Sequence, residues 1–219
     1  MARTKKIIPI SVQYKNYILA SVHLYGTIYV EELIKLIEKY EGKEVDRNLL
    51  VQIIQVLGSI PYVGLSNYQD QIIGNRFFSF SDKNSLKDAK QILETKVDFQ
   101  RYIPTKNEFL KYAEEEYFEP ILQTLRLQTF ILKNRLCEFE SIEDLDFDMF
   151  DLRNKILANF PLEDIIHDFF DKDYEFKRES DLHMFMDLVI DIINHTRRYD
   201  LLGNTSYELM QAKSSSQLN

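Results

Sequence analysis

Residues 101–125 read RYIPTKNEFLKYAEEEYFEPILQTL, and the fold class turns on this stretch. Thr105 stands three residues before Glu108, the spacing of a capping box. In that motif the hydroxyl accepts the Glu108 amide, and the carboxylate reaches back to the Thr105 amide. Pro104 disfavours a helical Ile103, so the helix start is sharply placed. Phe109, Tyr112, Ala113, Phe118, Ile121, Leu122 and Leu125 then form an apolar stripe along one helix face. Pro120 lacks a backbone donor, so the pattern predicts one helix ending near Glu119 and a second opening on Pro120. The region belongs to an all-helical body.

Composition agrees with that reading. The 219 residues include 13 Tyr and 15 Phe but no Trp, and only 6 Gly and 5 Pro. Few turn residues argue against an all-β chain and favour helices packed through aromatics. Cys137 is the single cysteine, which excludes a disulfide within the chain and a multi-thiolate zinc site built by it. Nowhere do eighteen apolar residues follow one another, and the start MARTKKIIPISVQ lacks the apolar core of a signal peptide. The expectation is a cytoplasmic protein with no membrane partner. Net charge is −8, but residues 1–62 carry eight Lys and Arg against six acids, and the remainder nineteen against twenty-nine. A chain that coats nucleic acid through its whole surface needs the opposite balance. A small reading module at the N-terminus stays open.

Residues 7–12 suit a short strand or extended lead-in. Helices are predicted over 14–24, over 30–40 with Gly42 closing, and over 47–57 with Asp46 as cap. Ile60 to Val63 and Ile72 to Gly74, separated by a polar turn, suit a β-hairpin. Three helices and a hairpin follow the winged helix-turn-helix order, with the third helix in the recognition position. Lys43, Arg47, Asn48, Gln52 and Gln55 are then the candidate nucleic-acid contacts. The face is thin in positive charge and rich in amides, and such modules also serve as packing or dimerisation units.

A short helix over 85–93 is expected in a linker, and after the central segment a helix over 120–138. The stretch 138–151, EFESIEDLDFDMFD, holds seven carboxylates and no base. It suits either a surface for a basic partner or ion, or the acid-rich start of the next helix, which the helix dipole favours. Residues 162–170 form a helix. The last long one begins at Ser180 or Asp181 and runs to Leu202, where Gly203 stops it. On it Leu182, Phe185, Met186, Val189, Ile190 and Ile193 mark the buried side. Thr205 and Glu208 repeat the capping-box spacing, and 211–219 reads as a polar, disordered tail.

His183, Asp187, Asp191 and His195 step by four along that helix, a spacing compatible with metal but more readily with a solvated face. Arg178 and His183 match a ribonuclease-like spacing that chance supplies readily. Asn194 and Arg197 follow the buried side and should sit at the core edge, with Tyr112 and the acids Glu114 to Glu116, Glu115 among them, as partners. No phosphate loop and no activated nucleophile is present, so no catalytic residue, metal ligand or cofactor is assigned.

Tyr102 to Pro120, YIPTKNEFLKYAEEEYFEP, resembles a recurring block of uncharacterised bacterial helical proteins that often end in a SEC-C zinc motif. Ile193 to Leu209, INHTRRYDLLGNTSYEL, is similar to the closing block of the same family through Asn194, Thr196, Arg197, Gly203, Thr205, Glu208 and Leu209. Asn204, Ser206 and Tyr207 depart from it, and the residues beyond Leu209 contain no cysteine, so the zinc motif is absent. The resemblance implies a helical body from about 100 to 209 and carries no assigned activity.

The organisation expected is mainly α. A winged helix-turn-helix-like module with a β-hairpin spans 1–80, a linker with a short helix 81–99, an all-helical C-terminal domain 100–210, and a tail 211–219. The function expected is that of a non-enzymatic interaction or regulatory protein with a protein partner. A DNA- or RNA-binding regulator is the alternative, and a metal-dependent hydrolase a distant third.

Overall fold

Helix α1 (Ile10–Tyr25) opens the described part of the chain; the structure, a computed structural model, describes residues 10–78, 80, 83–94, 99–114, 116–139 and 141–216. Tyr14, Ile18 and Val22 are buried at one-turn intervals, and Tyr17, Leu24 and Tyr25 widen the buried side. The lead-in expected over 7–12 becomes the first helical turn at Ile10 to Val12; residues 7–9 lie outside the described set.

The fold of the first unit, 1–118, continues with strand β1 (Thr27–Tyr29), helix α2 (Val30–Glu41) and helix α3 (Arg47–Gly58). Gly42 ends α2 with φ 65°, a conformation that costs a Cβ-bearing residue about 1–2 kcal/mol. Asp46 caps α3 through the Leu49 amide, as its position predicted. A single 3₁₀ turn (Pro61–Val63) stands where the first hairpin arm was expected. Proline at its first position offers no donor for a ladder, so the arm forms later, as β2 (Ser66–Tyr68) beside β3 (Ile72–Gly74).

The sheet is antiparallel with order β1-β3-β2, pairing Ile28 with Ile73 and Asn67 with Ile73. Strand β1 falls in the gap between the first two predicted helices. Its three residues are too few to show a period of two, and only pairing to a strand some forty-five residues later makes them a strand. Helix α4 (Lys83–Glu94) is the helix expected in the linker.

The capping box at Thr105 and Glu108 is present, and it starts α5 (Lys106–Lys111). That helix stops well short of Glu119. Glu114 and Glu116 would lie at its negative end, where acids are unfavourable, and the chain turns instead. Phe109 and Tyr112 are buried in one cluster with Tyr14, Tyr17, Tyr25, Leu33, Ile37 and Leu50. Residues 100–118, attached to the helical body on sequence grounds, therefore pack with the first unit. What draws them there is aromatic: Phe109 meets the rings of Tyr17, Tyr25 and Tyr40 at 6.1, 6.1 and 5.4 Å.

Among the described residues of the second unit, 119–219, the regular elements are all helices. It comprises α6 (Leu122–Asn134), α7 (Ile142–Leu157), α8 (Leu162–Asp171), α9 (Glu179–His195) and α10 (Ser206–Ser216). Pro120 does not open α6; Ile121 is extended, and Arg135 in the left-handed region ends the helix before Glu138. A second capping box, Ser141 with Asp144, starts the acid-rich α7.

Helix α9 ends at His195, where Thr196 turns extended and its hydroxyl bonds back to the Ile192 carbonyl at 2.8 Å. It does not reach Leu202. Its buried residues are Asp181, Phe185, Val189 and Ile192, so the core side is rotated from the one predicted and Ile190 is 38% exposed. The core joins Phe169, Tyr174 and Phe185, with rings 4.9 to 6.2 Å apart, to Leu127, Ile131, Leu145 and Leu152. Thr205 and Glu208 form the second predicted box, and α10 carries the helix through Ser216 where a disordered tail was expected.

Candidate functional site

The exposed side of α3 gathers most of the residues singled out in the first unit. Arg47 and Asn48 sit on its first turn, Gln52 and Gln55 follow, and Lys43 lies in the preceding loop; all five are exposed. Arg47 Nε lies 2.9 Å from Glu31, and Gln55 donates to Asp70 at 2.9 Å from the β2–β3 turn. Asp70 is held in turn by Asn67, whose amide donates to it at 2.7 Å and whose carbonyl takes its N–H at 3.1 Å. The Arg47–Glu31 pair is more than half exposed on both sides, so it contributes little to stability. It nonetheless halves the local positive charge. Neutralised phosphates supply most of the free energy of nonspecific nucleic-acid binding, and this helix offers one arginine for them.

Between α1 and α3 lies a shallow groove of roughly 390 Å³, lined by Ser11, Val12, Lys15, Leu49, Gln52, Ile53, Val56 and Leu57. Val12 and Val56 are 44% and 60% exposed on its lips. Ile53 and Leu57 also belong to the core of the first unit, Leu57 buried within it and Ile53 packed against it. The missed signal was Val56, which with Gln52 and Asn48 makes a four-residue step on the side away from Leu50, Ile54 and Leu57.

Of the residues expected to lock the C-terminal body, the structure brings Arg197, Gly203, Thr205 and Glu208 together, with Glu119 in place of the acids predicted. Arg197 lies in the loop after α9, its side chain 11% exposed. Its guanidinium takes Glu119 at 2.6 Å, both oxygens of Glu208 at 2.9 and 3.1 Å, and the Gly203 carbonyl at 3.2 Å. The bidentate acid is therefore the one from the Thr205–Glu208 capping box. Burial raises the Glu208 carboxyl, but the bonds from Arg197 and the Thr205 amide outweigh it and hold the group below its usual range. Gly203, φ 79°, does not cap α9; its N–H closes the loop on the Arg198 carbonyl. Asn194 is half-buried. Tyr112, in the first unit, is buried, and its carbonyl meets His23 Nδ1 at 2.8 Å. Glu115 lies outside the described residues.

A charge network in the second unit escaped the sequence reading altogether. Lys172 Nζ lies 3.1, 2.7 and 3.1 Å from Asp148, Asp151 and Asp168, while Lys155 meets Asp151 and Asp168 at 3.1 and 2.5 Å. Tyr174 donates to Asp148 at 2.8 Å inside the core. Burial alone lowers the Lys172 amine, but the three carboxylates more than reverse that and hold it above its usual range. Asp151 is the converse: burial raises it, and hydrogen bonds from Lys172 and Lys155 carry it below the ordinary carboxylate range.

A pH dependence follows from these signs. A depressed Asp151 contributes stability above about pH 4 that is lost as pH falls through its folded value. The raised Lys172 contributes below about pH 10 and is lost as pH rises through its own. In Lys172→Met, Asp151 loses its nearest cation and its folded value moves back toward the unfolded one, so the acid loss of melting temperature below about pH 4 should be shallower than in wild type. Calorimetric scans at matched ionic strength check this, and superimposable acid limbs would refute it.

The histidine stripe does not converge. His183 and His167 are exposed and face Glu179 and Asp171 one turn away, while His195 contacts Asp191 and stacks on Tyr207 at 4.6 Å. Arg178 is bidentate to Asp181. Cys137 lies among acids, and burial followed by Asp148 and Asp173 pushes its thiol up, away from nucleophilic character. Among the described residues no group of three or more His, Cys, Asp or Glu is placed to hold a metal ion, and no helix is long and apolar enough to cross a membrane. No protein-family model matches the chain, and neither a curated protein nor a solved structure matches it.

Proposed function

We propose that the chain is a non-enzymatic interaction protein whose first unit is a winged helix-turn-helix module that meets a protein partner through α1 and α3. The element order α1-β1-α2-α3-β2-β3, with sheet order β1-β3-β2, supports the winged-helix reading: α3 occupies the recognition position and the β2–β3 hairpin the wing. The observation that carries the partner class is the apolar groove. Val12 and Val56 form its lips, Leu49, Ile53 and Leu57 its floor, and among the described residues Lys15 is the one charged group in its lining. Such a groove takes the apolar side of an amphipathic helix, with an acid of that helix set against Lys15. The likeness of residues 102–120 and 193–209 to SEC-C-associated proteins accords with a helical scaffold of this kind.

The nucleic-acid alternative rests on the exposed row Arg47, Asn48 and Gln52. The two readings separate in one experiment. Val56→Glu should abolish co-purification of the partner that wild-type chain retains in its native host, while retention on heparin or DNA at low salt stays negligible for both proteins. A salt-sensitive shift of genomic fragments by wild type, removed by Arg47→Glu and untouched by Val56→Glu, would overturn the protein-docking reading in favour of the nucleic-acid one.

A further inference from the structure

Helix α6 is apolar on two sides. One side, through Leu127 and Ile131, is fully buried in the core of the second unit. The other carries Leu122, Leu125, Thr129 and Leu132 at steps of three, four and three, and the leucines are 58%, 60% and 47% exposed. A surface helix needs one apolar side, and a helix apolar on both has a second partner. The steps are those of coiled-coil a and d positions: Leu122 and Thr129 at a, Leu125 and Leu132 at d.

The flanks of this seam differ in sign. Arg126 and Lys133 follow the d residues on one flank, and both are exposed. Arg126 makes only a long contact of 3.8 Å with Asp191 and keeps 56% of its side chain in solvent. On the opposite flank Gln128 donates to Asp146 of α7 at 2.7 Å, which sets a carboxylate beside the seam. One turn before Asp146, Ile142 is 54% exposed and extends the apolar strip on the acidic side.

We propose that two copies of the chain pair through α6 about a two-fold axis parallel to the helices. In a parallel pair the flank after d faces the flank before a of the other copy, so Arg126 meets the partner copy's acidic flank. An antiparallel pair sets Arg126 against a second Lys133, a like-charge contact. A β-branched residue at a with leucine at d is also the combination that favours parallel two-stranded packing, and Thr129 with Leu125 and Leu132 supplies it. This surface lies on the second unit and is independent of the α1–α3 groove, so either can fail alone.

Sedimentation velocity on the full chain, from low to high micromolar concentration, tests the pairing. The expected result is a monomer–dimer equilibrium. Leu125→Glu should raise its dissociation constant roughly thirtyfold or more, with circular dichroism unchanged, and with melting unchanged at concentrations low enough for both proteins to be monomeric, because the side chain is already exposed. Arg126→Glu should weaken the dimer, and adding Asp146→Arg should restore it. For orientation, Leu122→Cys in a Cys137→Ser background should form a self-disulfide on mild oxidation. Leu122 faces its own counterpart only in the parallel arrangement; antiparallel packing separates the two by about ten residues of rise, far beyond disulfide reach. A wild-type chain that stays monomeric, a dimer indifferent to Leu125→Glu, or the lack of charge-swap rescue overturns the proposal.

Discussion

Replacing Phe109 by alanine is expected to cost the first unit about 3–5 kcal/mol, the range for emptying a phenylalanine site in a close-packed core. Phe109 is fully buried, and three tyrosine rings surround it. The upper half of that range is expected, because the neighbours are not free to close the hole. The Tyr17 hydroxyl is tied to Glu41, Tyr25 donates to the Tyr102 carbonyl at 2.8 Å, and Tyr40 donates to the Pro104 carbonyl at 2.9 Å. Burial first, with Tyr102 and Glu108 nearby, pushes the Tyr40 phenol up to about 12, and burial with the Glu41 carboxylate raises Tyr17 as well, so these two bonds persist across the working pH range. A ring that moves into the cavity gives up its bond, and a buried unmet hydroxyl costs about 1–3 kcal/mol. Since domains are held by about 5–15 kcal/mol in all, the variant should lose a large part of its margin. Denaturant titration followed by tyrosine fluorescence checks this. Leu110→Ala, at a half-buried neighbour, should cost clearly less. A Phe109→Ala midpoint within about 1 kcal/mol of wild type would show that the segment after the capping box is not a core element.

The same residue illustrates what sequence can and cannot convey. The box at Thr105 and Glu108 is a local motif, four residues long, and it was readable to the atom. So were the Asp46 cap, the Gly42 stop and the Thr205–Glu208 box, because each depends on groups within one turn of the chain. Phe109 itself was recognised as apolar and inward. The body it packs against was not, since nothing in its own neighbourhood points to Tyr17, Tyr25 and Tyr40 rather than to the helices that follow. Strand β1 failed for the same reason in another guise: Thr27 to Tyr29 form a strand only because Ile73 is there to pair with. At the third helix the exposed polar row was legible as a candidate interface. Its partial neutralisation was not, because Glu31 and Asp70 come from other elements. The Lys172 network draws on residues 148 to 172, and its charges read as an ordinary solvated mixture until α7 and α8 are set side by side.

Arg197→Ala should destabilise the second unit by about 2–3 kcal/mol. Breaking a buried ion pair by removing one partner typically costs about 3–5 kcal/mol, because the remaining charge is left desolvated. The figure here is discounted since Glu119 and Glu208 keep 39% and 41% of their side chains exposed, and water can take up part of what the guanidinium leaves. The effect remains large because Arg197 joins three points of the chain: Glu119 in the segment ahead of α6, the Gly203 loop, and the cap of α10. Glu208 serves two of those functions at once, bonding the Thr205 amide while accepting Arg197, so losing the arginine also loosens the start of α10. For a unit of about a hundred residues each kcal/mol moves the melting point by roughly 4–8 °C, which puts the fall near 10–20 °C. Arg198→Ala is the control. It bonds Asp200 two residues away and the Asn159 side chain, groups that water can replace, and should cost under about 1 kcal/mol. Arg197→Lys should recover little, since a single ammonium cannot hold Glu208 bidentately and reach Glu119 together. If Arg197→Ala melted like wild type, the junction would be incidental to the fold, and the role of the loop after α9 would have to be sought in what it binds.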